Sequence, residues 1–144
     1  MKTLFDTSAL VSALVEQHPS HGRARPWLDQ AQSGRFKWAI CAHSLAELYS
    51  AMTNLPLRPK LPGPLVVSLI RQNLPATAQV IELTREDYLA VLQPASDLGL
   101  TGGAVYDALI ARAVQKAGVK RVLTFNVDHF RRLWPEGGVR IVSP

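Results

Sequence analysis

Four carboxylates, Asp6, Glu47, Asp107 and Asp128, each stand where an apolar, structure-forming segment begins or ends. A carboxylate beside apolar sequence is costly to desolvate unless a cation or a hydrogen bond compensates it, so recurrent placement of this kind points to a shared ligand. Carboxylate oxygens suit a hard divalent cation, and no Cys or His cluster accompanies them that would favour zinc. Each acid also has a purely structural use. Asp6 can cap the helix that follows it. Ser44-Leu45-Ala46-Glu47 matches a capping box, in which the glutamate bonds back to the cap residue. Asp107 can sit on a helix N-terminal dipole beside a buried arginine, and Asp128 can be a first-turn acid with Asn126 and His129 as neighbours.

The elements that must position these residues follow from periodicity. Lys2 to Phe5 reads as a short apolar strand stopped by Asp6, with Thr7 or Ser8 capping a helix to about Val15. A helix over His21 to Ala31 ends at Gly34, and Lys37 to Ile40 is a buried strand. The stretch from Ser44 to about Thr53 is helical, with Leu45, Leu48 and Met52 on one stripe and Glu47 in the first turn. Four prolines and a glycine between Asn54 and Pro64 exclude regular structure and make a stiff basic loop. Leu65 to Gln72 is a short helix, and Gln79 to Leu83 is a strand. Thr84 caps a helix that runs through Leu92 and is ended by Pro94.

Gly102 and Gly103 precede the strongest helix, Ala104 to Ala117, stopped by Gly118. On it Asp107, Ile110, Val114 and Ala117 share a stripe, so this carboxylate points with the apolar face and needs a partner. Arg121 to Thr124 and Val139 to Val142 are strands, with a short helix over Val127 to Leu133 between them. Strands alternating with helices imply a parallel sheet covered on both faces, and such sheets bind ligands at the carboxyl ends of their strands.

Composition narrows the class. The chain has 144 residues with 47% apolar content, which fits one domain spanning 1–144 with a substantial core. Sixteen Lys and Arg against eleven Asp and Glu leave a net charge of +5, which suits a polyanionic partner. The single cysteine, Cys41, excludes an internal disulfide and reads as a small buried hydrophobe in a reducing compartment. Asp6 interrupts the N-terminal apolar run before it can resemble an export signal, and no segment is apolar enough to span a bilayer, so a cytoplasmic location is expected. Trp27, Trp38 and Trp134 are expected in the core or an interface, and His18, His21 and His43 carry no ligand spacing.

Four segments together carry a family resemblance. Asp6-Thr7-Ser8-Ala9-Leu10 follows a strand, and Leu45-Ala46-Glu47-Leu48 opens a helix. Gly102-Gly103-Ala104-Val105-Tyr106-Asp107-Ala108-Leu109-Ile110-Ala111 and Thr124-Phe125-Asn126-Val127-Asp128-His129-Phe130 come later. In this order they resemble the motifs of PIN-domain ribonucleases, and more closely those of the VapC toxins of bacterial toxin-antitoxin pairs. The resemblance implies a three-layer α/β/α sandwich with a central parallel sheet and a Mg²⁺- or Mn²⁺-dependent endoribonuclease. Asp6, Glu47 and Asp107 fall at the three principal acids. In the last motif Asn126 and His129 replace the family's usual acids, so Asp128 is the expected fourth ligand, directly or through water, ahead of Asn126. Thr124 and Ser8 are expected to position the acids. The resemblance further implies a cognate antitoxin and a homodimer.

An RNA strand entering an acidic cleft needs cations at its rim, and the candidates are Arg112, Lys116, Arg131 and Arg132, with Arg58 and Lys60 in the proline-rich loop. Two other readings stay open. One is a catalytically degenerate nucleic-acid-binding or scaffolding module, which the altered last motif permits. The other is a Mg²⁺-dependent phosphatase of the haloacid-dehalogenase type, which needs an acid where Ser8 stands.

Overall fold

The computed structural model describes residues 1–74, 76–134 and 137–144. Its elements are β1 (Thr3–Phe5), α1 (Thr7–Leu14), α2 (His21–Gln32), β2 (Trp38–Cys41), α3 (Ala42–Thr53) and α4 (Gly63–Asn73). They continue with β3 (Gln79–Ile81), α5 (Arg85–Asp97), α6 (Ala104–Lys116), β4 (Arg121–Leu123), α7 (Val127–Leu133) and β5 (Arg140–Val142). The strands form one five-stranded sheet in the order β3-β2-β1-β4-β5, parallel at every pairing. Chain order therefore reverses direction between β1 and β4. In an open α/β sheet that reversal leaves a crevice at the strands' carboxyl ends, where ligands bind.

Period-two alternation in the strands builds a core on each face. Phe5, Trp38, Ile40 and Leu123 pack on one side with residues of α1 to α4, among them Leu10, Leu28, Leu48, Met52 and Val66. Leu4, Ala39, Cys41 and Val122 point the other way, onto Ile110, Ala113 and Val114 of α6 and Phe130 of α7. The expected three-layer sandwich is the architecture observed. Burying each large aliphatic side chain contributes about 1.5–3 kcal/mol, so these two layers supply most of what offsets chain ordering.

Several expected element ends move: α4 starts at Gly63 rather than Leu65, and β3 ends at Ile81 rather than Leu83. Pro94 does not end α5, which continues to Asp97. A proline inside a helix leaves the carbonyl four residues back without its donor, and here both Pro94 and Ala90 lie on the exposed face, where solvent can replace that donor. At α1 the cap position belongs to Asp6 rather than Thr7 or Ser8, because the helix starts at Thr7 itself. Gly118, at φ 62°, terminates α6 as its spacing predicts. No helix among the described residues is long and apolar enough to cross a membrane.

Candidate active site

Asp6 lies at the carboxyl end of β1 and is 3% exposed. Its backbone amide donates to the Leu123 carbonyl (3.0 Å), which ties it to the end of β4 at the crevice. The side chain makes no cap hydrogen bond to α1. Its Oδ2 instead accepts from the Thr124 hydroxyl (2.7 Å) and the Ser8 hydroxyl (2.9 Å). Thr124 in turn accepts the Asn126 amide (2.9 Å), and Ser8 Oγ accepts the Phe125 amide (3.0 Å). Two hydroxyls at the ends of different elements thus lock one carboxylate, and the loop after β4 is threaded through them. Burial pushes the Asp6 carboxyl above its ordinary value of 3.8, because these hydroxyls and the nearby amides of Thr7 and Ser8 do not replace full hydration.

Glu47 and Asp107 approach from α3 and α6. Burial raises the Glu47 carboxyl, the His43 imidazole beside it works the other way, and the negative charges of Asp6 and Asp107 push it up further. Asp107 is raised by burial first and by Asp6 next, against His129 and Arg132. Three acids from three elements therefore feel one another, and no arginine or lysine forms an ion pair with any of them among the described residues.

The capping-box role expected for Ser44 and Glu47 is not what forms. Helix α3 starts two residues earlier than the sequence pattern suggests, with Cys41 at its cap position. Ser44 is buried inside the first turn with its hydroxyl unpartnered. Glu47 is thereby released from the helix end and bonds His43 Nδ1 (2.7 Å) across one turn.

Asp128 is not brought to this group. Its side chain is 96% exposed and faces Arg131 at 3.9 Å, whereas the next residue, His129, puts Nδ1 3.2 Å from Asp107 Oδ2. A one-residue step on α7 decides this, since neighbours on a helix point about 100° apart. Asn126 is exposed, and its contribution is the backbone amide given to Thr124. The two imidazoles, His43 and His129, are the site residues that sequence reasoning missed. For His43 the four-residue spacing from Glu47 was the available signal.

Arg112 and Lys116, expected as substrate-binding cations, are engaged with another carboxylate. Arg112 Nε (2.9 Å) and Lys116 Nζ (2.7 Å) both contact Asp87 on α5, and Lys116 also donates to the Glu82 carbonyl (3.0 Å). They neutralise a carboxylate that also closes a capping box with Thr84. Arg131 and Arg132 remain exposed on α7, and the charge of Arg132 reaches Asp107.

The donor set fits a hard cation in kind. All three acids offer oxygen, burial leaves them short of positive charge, and Thr7, adjacent to Asp6, holds a buried hydroxyl with no partner. Among the described residues no three of the acids, histidines and cysteines already stand at metal-ligand spacing.

Comparison with known proteins agrees with this geometry. Residues 3–133 match the PIN domain family model. The chain is 34% identical over 108 residues to Ribonuclease VapC27 of Mycobacterium tuberculosis, covering 75% of this chain and 73% of that protein. It is 29% identical to Ribonuclease VapC40 of the same species over 115 residues, 80% of each chain. Among solved structures, Mycobacterium tuberculosis VapC20, a Sarcin-Ricin loop cleaving toxin, superposes with a TM-score of 0.71 at 16% identity, over 90% of this chain and 94% of that one. VapBC2 from Rickettsia felis, bound to a DNA fragment from its promoter, gives 0.68 at 18% identity, over 100% and 99% of the chains. With its sheet order, its crevice acids and these relatives in agreement, the chain belongs to the PIN-domain family, among the ribonucleases of the VapC type.

Proposed function

We propose that this chain is the toxin of a toxin-antitoxin pair and hydrolyses RNA phosphodiester bonds at a divalent-cation site held by Asp6, Glu47 and Asp107. The observation that carries the reading is the setting of Asp6: a buried carboxylate at the switch point of the sheet, restrained by two hydroxyls and paired with no lysine or arginine among the described residues. Held by these acids, Mg²⁺ or Mn²⁺ would supply charge stabilisation for the phosphoryl oxygens and would lower the pKa of an attacking water. Ser8 and Thr124 fix the carboxylate's orientation, so that its free oxygen is aimed rather than mobile. Glu47, steered by the His43 Nδ1 contact, is the acid placed to accept the water's proton. His129 and Arg132 partly offset the burial and the Asp6 charge that raise the Asp107 carboxyl. Asp128 is left out of the ligand set because its carboxylate points to solvent.

Cations for the RNA backbone come from Arg131 and Arg132 on α7 and from Arg58 and Lys60 in the proline-rich loop, all exposed. The relatives known as VapBC complexes support a cognate antitoxin as the partner that holds this nuclease inactive, and a homodimer is proposed with it. Mapping new RNA 5′ ends in cells after induced expression tests the function. Discrete cleavage sites that vanish with Asp107→Asn are expected; identical maps for the two proteins refute a nuclease.

A further inference from the structure

Glu47 and His43 open onto a cavity of about 440 Å³ whose remaining lining the proposed cleavage chemistry does not use. Thr7, His43, Glu47, Ser50, Asn54 and Tyr106 line it. Tyr106 precedes Asp107 on α6, remains 43% exposed, and stacks on the His43 imidazole at 4.7 Å with the rings 28° apart. The tyrosine hydroxyl has no hydrogen-bond partner among the described residues, so no polar contact accounts for the ring's position. An aromatic plane already stacked on one neighbour and still open to solvent is a platform for another flat ring. Ser50 and Asn54 continue the same face of α3, one and two turns beyond Glu47, and both are exposed with side chains that donate and accept. Asn54 also lines the adjoining cavity under the proline-rich loop, where Arg58 and Lys60 stand. Acid, aromatic platform, hydrogen-bonding edge and basic loop thus follow one another along a single path.

We propose that this cavity receives one unpaired nucleobase next to the scissile phosphate, stacked with the Tyr106–His43 pair and read on its edge by Asn54 and Ser50, while the adjoining phosphate runs toward Arg58 and Lys60. The proposal rests on the ribonuclease reading and adds a substrate requirement to it: the cut lies in single-stranded RNA, where a base is free to leave its stack. Tyr106 acts as a specificity residue through the base, not on the bond that breaks.

The test pairs protein variants with abasic substrates. A short single-stranded RNA that the native protein cuts is compared with versions lacking one base at each position in turn, using the native protein, Tyr106→Ala and Tyr106→Trp. At one position flanking the cut, base removal is expected to lower kcat/KM about tenfold or more for the native protein and to have no further effect on Tyr106→Ala. Tyr106→Trp retains the response, and Asn54→Asp changes which base is preferred there, since it replaces a donor by an acceptor. Losses that simply add at every position overturn the proposal, as does a Tyr106→Trp protein as defective as Tyr106→Ala. If the native protein cuts no RNA, the ribonuclease reading fails by itself. The same cycle read as oligonucleotide binding by fluorescence anisotropy in EDTA then decides the base site separately, by the same non-additivity or its absence.

Discussion

Asp87 and Asp6 are both buried carboxylates at the start of helices, and their surroundings are opposite. Asp87 receives Arg112, Lys116, the Thr84 amide and the Thr84 hydroxyl, and this company holds its carboxyl well below the usual carboxylate range. Asp6 receives two hydroxyls and two further acids nearby, and its carboxyl is pushed up. One carboxylate is finished as a structural element, and the other is incomplete until something positive arrives. Buried charge without a partner is strongly unfavourable, so its retention at a strand end marks a site built for a ligand rather than for the fold.

The largest expected effect breaks the comparison on the functional side. Asp6→Asn or Asp107→Asn lowers RNA cleavage by about a hundredfold or more with circular dichroism unchanged, because each removes a charge that the transition state relies on. Asp87→Asn behaves in the reverse way, lowering the midpoint of thermal unfolding while cleavage per folded molecule stays near the native value. Loss of activity without loss of fold in Asp87→Asn would erase the distinction.

A second prediction uses the cation. Mg²⁺ or Mn²⁺ at about a hundred times its dissociation constant stabilises the native chain by about 2.7 kcal/mol, seen as a rise in the unfolding midpoint, and does not do so for Asp6→Asn. The pH dependence comes next. Asp6, Glu47 and Asp107 have folded-state values above their ordinary 3.8, 4.5 and 3.8, so the folded chain binds the extra protons and their ionisation opposes folding. Stability of the metal-free protein therefore rises as pH falls through their raised values toward the ordinary carboxylate range. Asp87 works the other way: its contribution is present above its ordinary value of 3.8 and is lost as pH falls below it, so further acidification reverses the gain. Asp6→Asn flattens the first limb only. The smallest effect is Thr84→Ala, which costs about 1 kcal/mol through the lost cap and leaves the metal response untouched.

Much of this was legible in the residues. The strand-helix alternation, the parallel sheet, the placing of Asp6 at a strand end and the inward stripe under Asp107 all follow from local periodicity and stop signals. Where reading failed, the deciding contact lay far along the chain or a helix began out of phase. Nothing in the spacing of Arg112 and Lys116 reveals that Asp87, 25 and 29 residues earlier, occupies both. The matching of Ser44 to a capping box presumes a helix start that β2 shifts, since Cys41 ends that strand and caps α3 directly. Asp128 and His129 differ by one step, and only the docking of Phe130 in the core sets which of them turns toward Asp107. By contrast Ser8 and Thr124 were expected to position the acids through the family resemblance alone, and both hydroxyls donate to Asp6.

The most direct test of the account is calorimetric titration of Mn²⁺ into the native protein, Asp6→Asn and Asp87→Asn. Heat of binding in the native protein and in Asp87→Asn, absent from Asp6→Asn, is the predicted result. Equal binding by all three, or none by the folded native protein, would contradict the claim that the crevice acids await a cation.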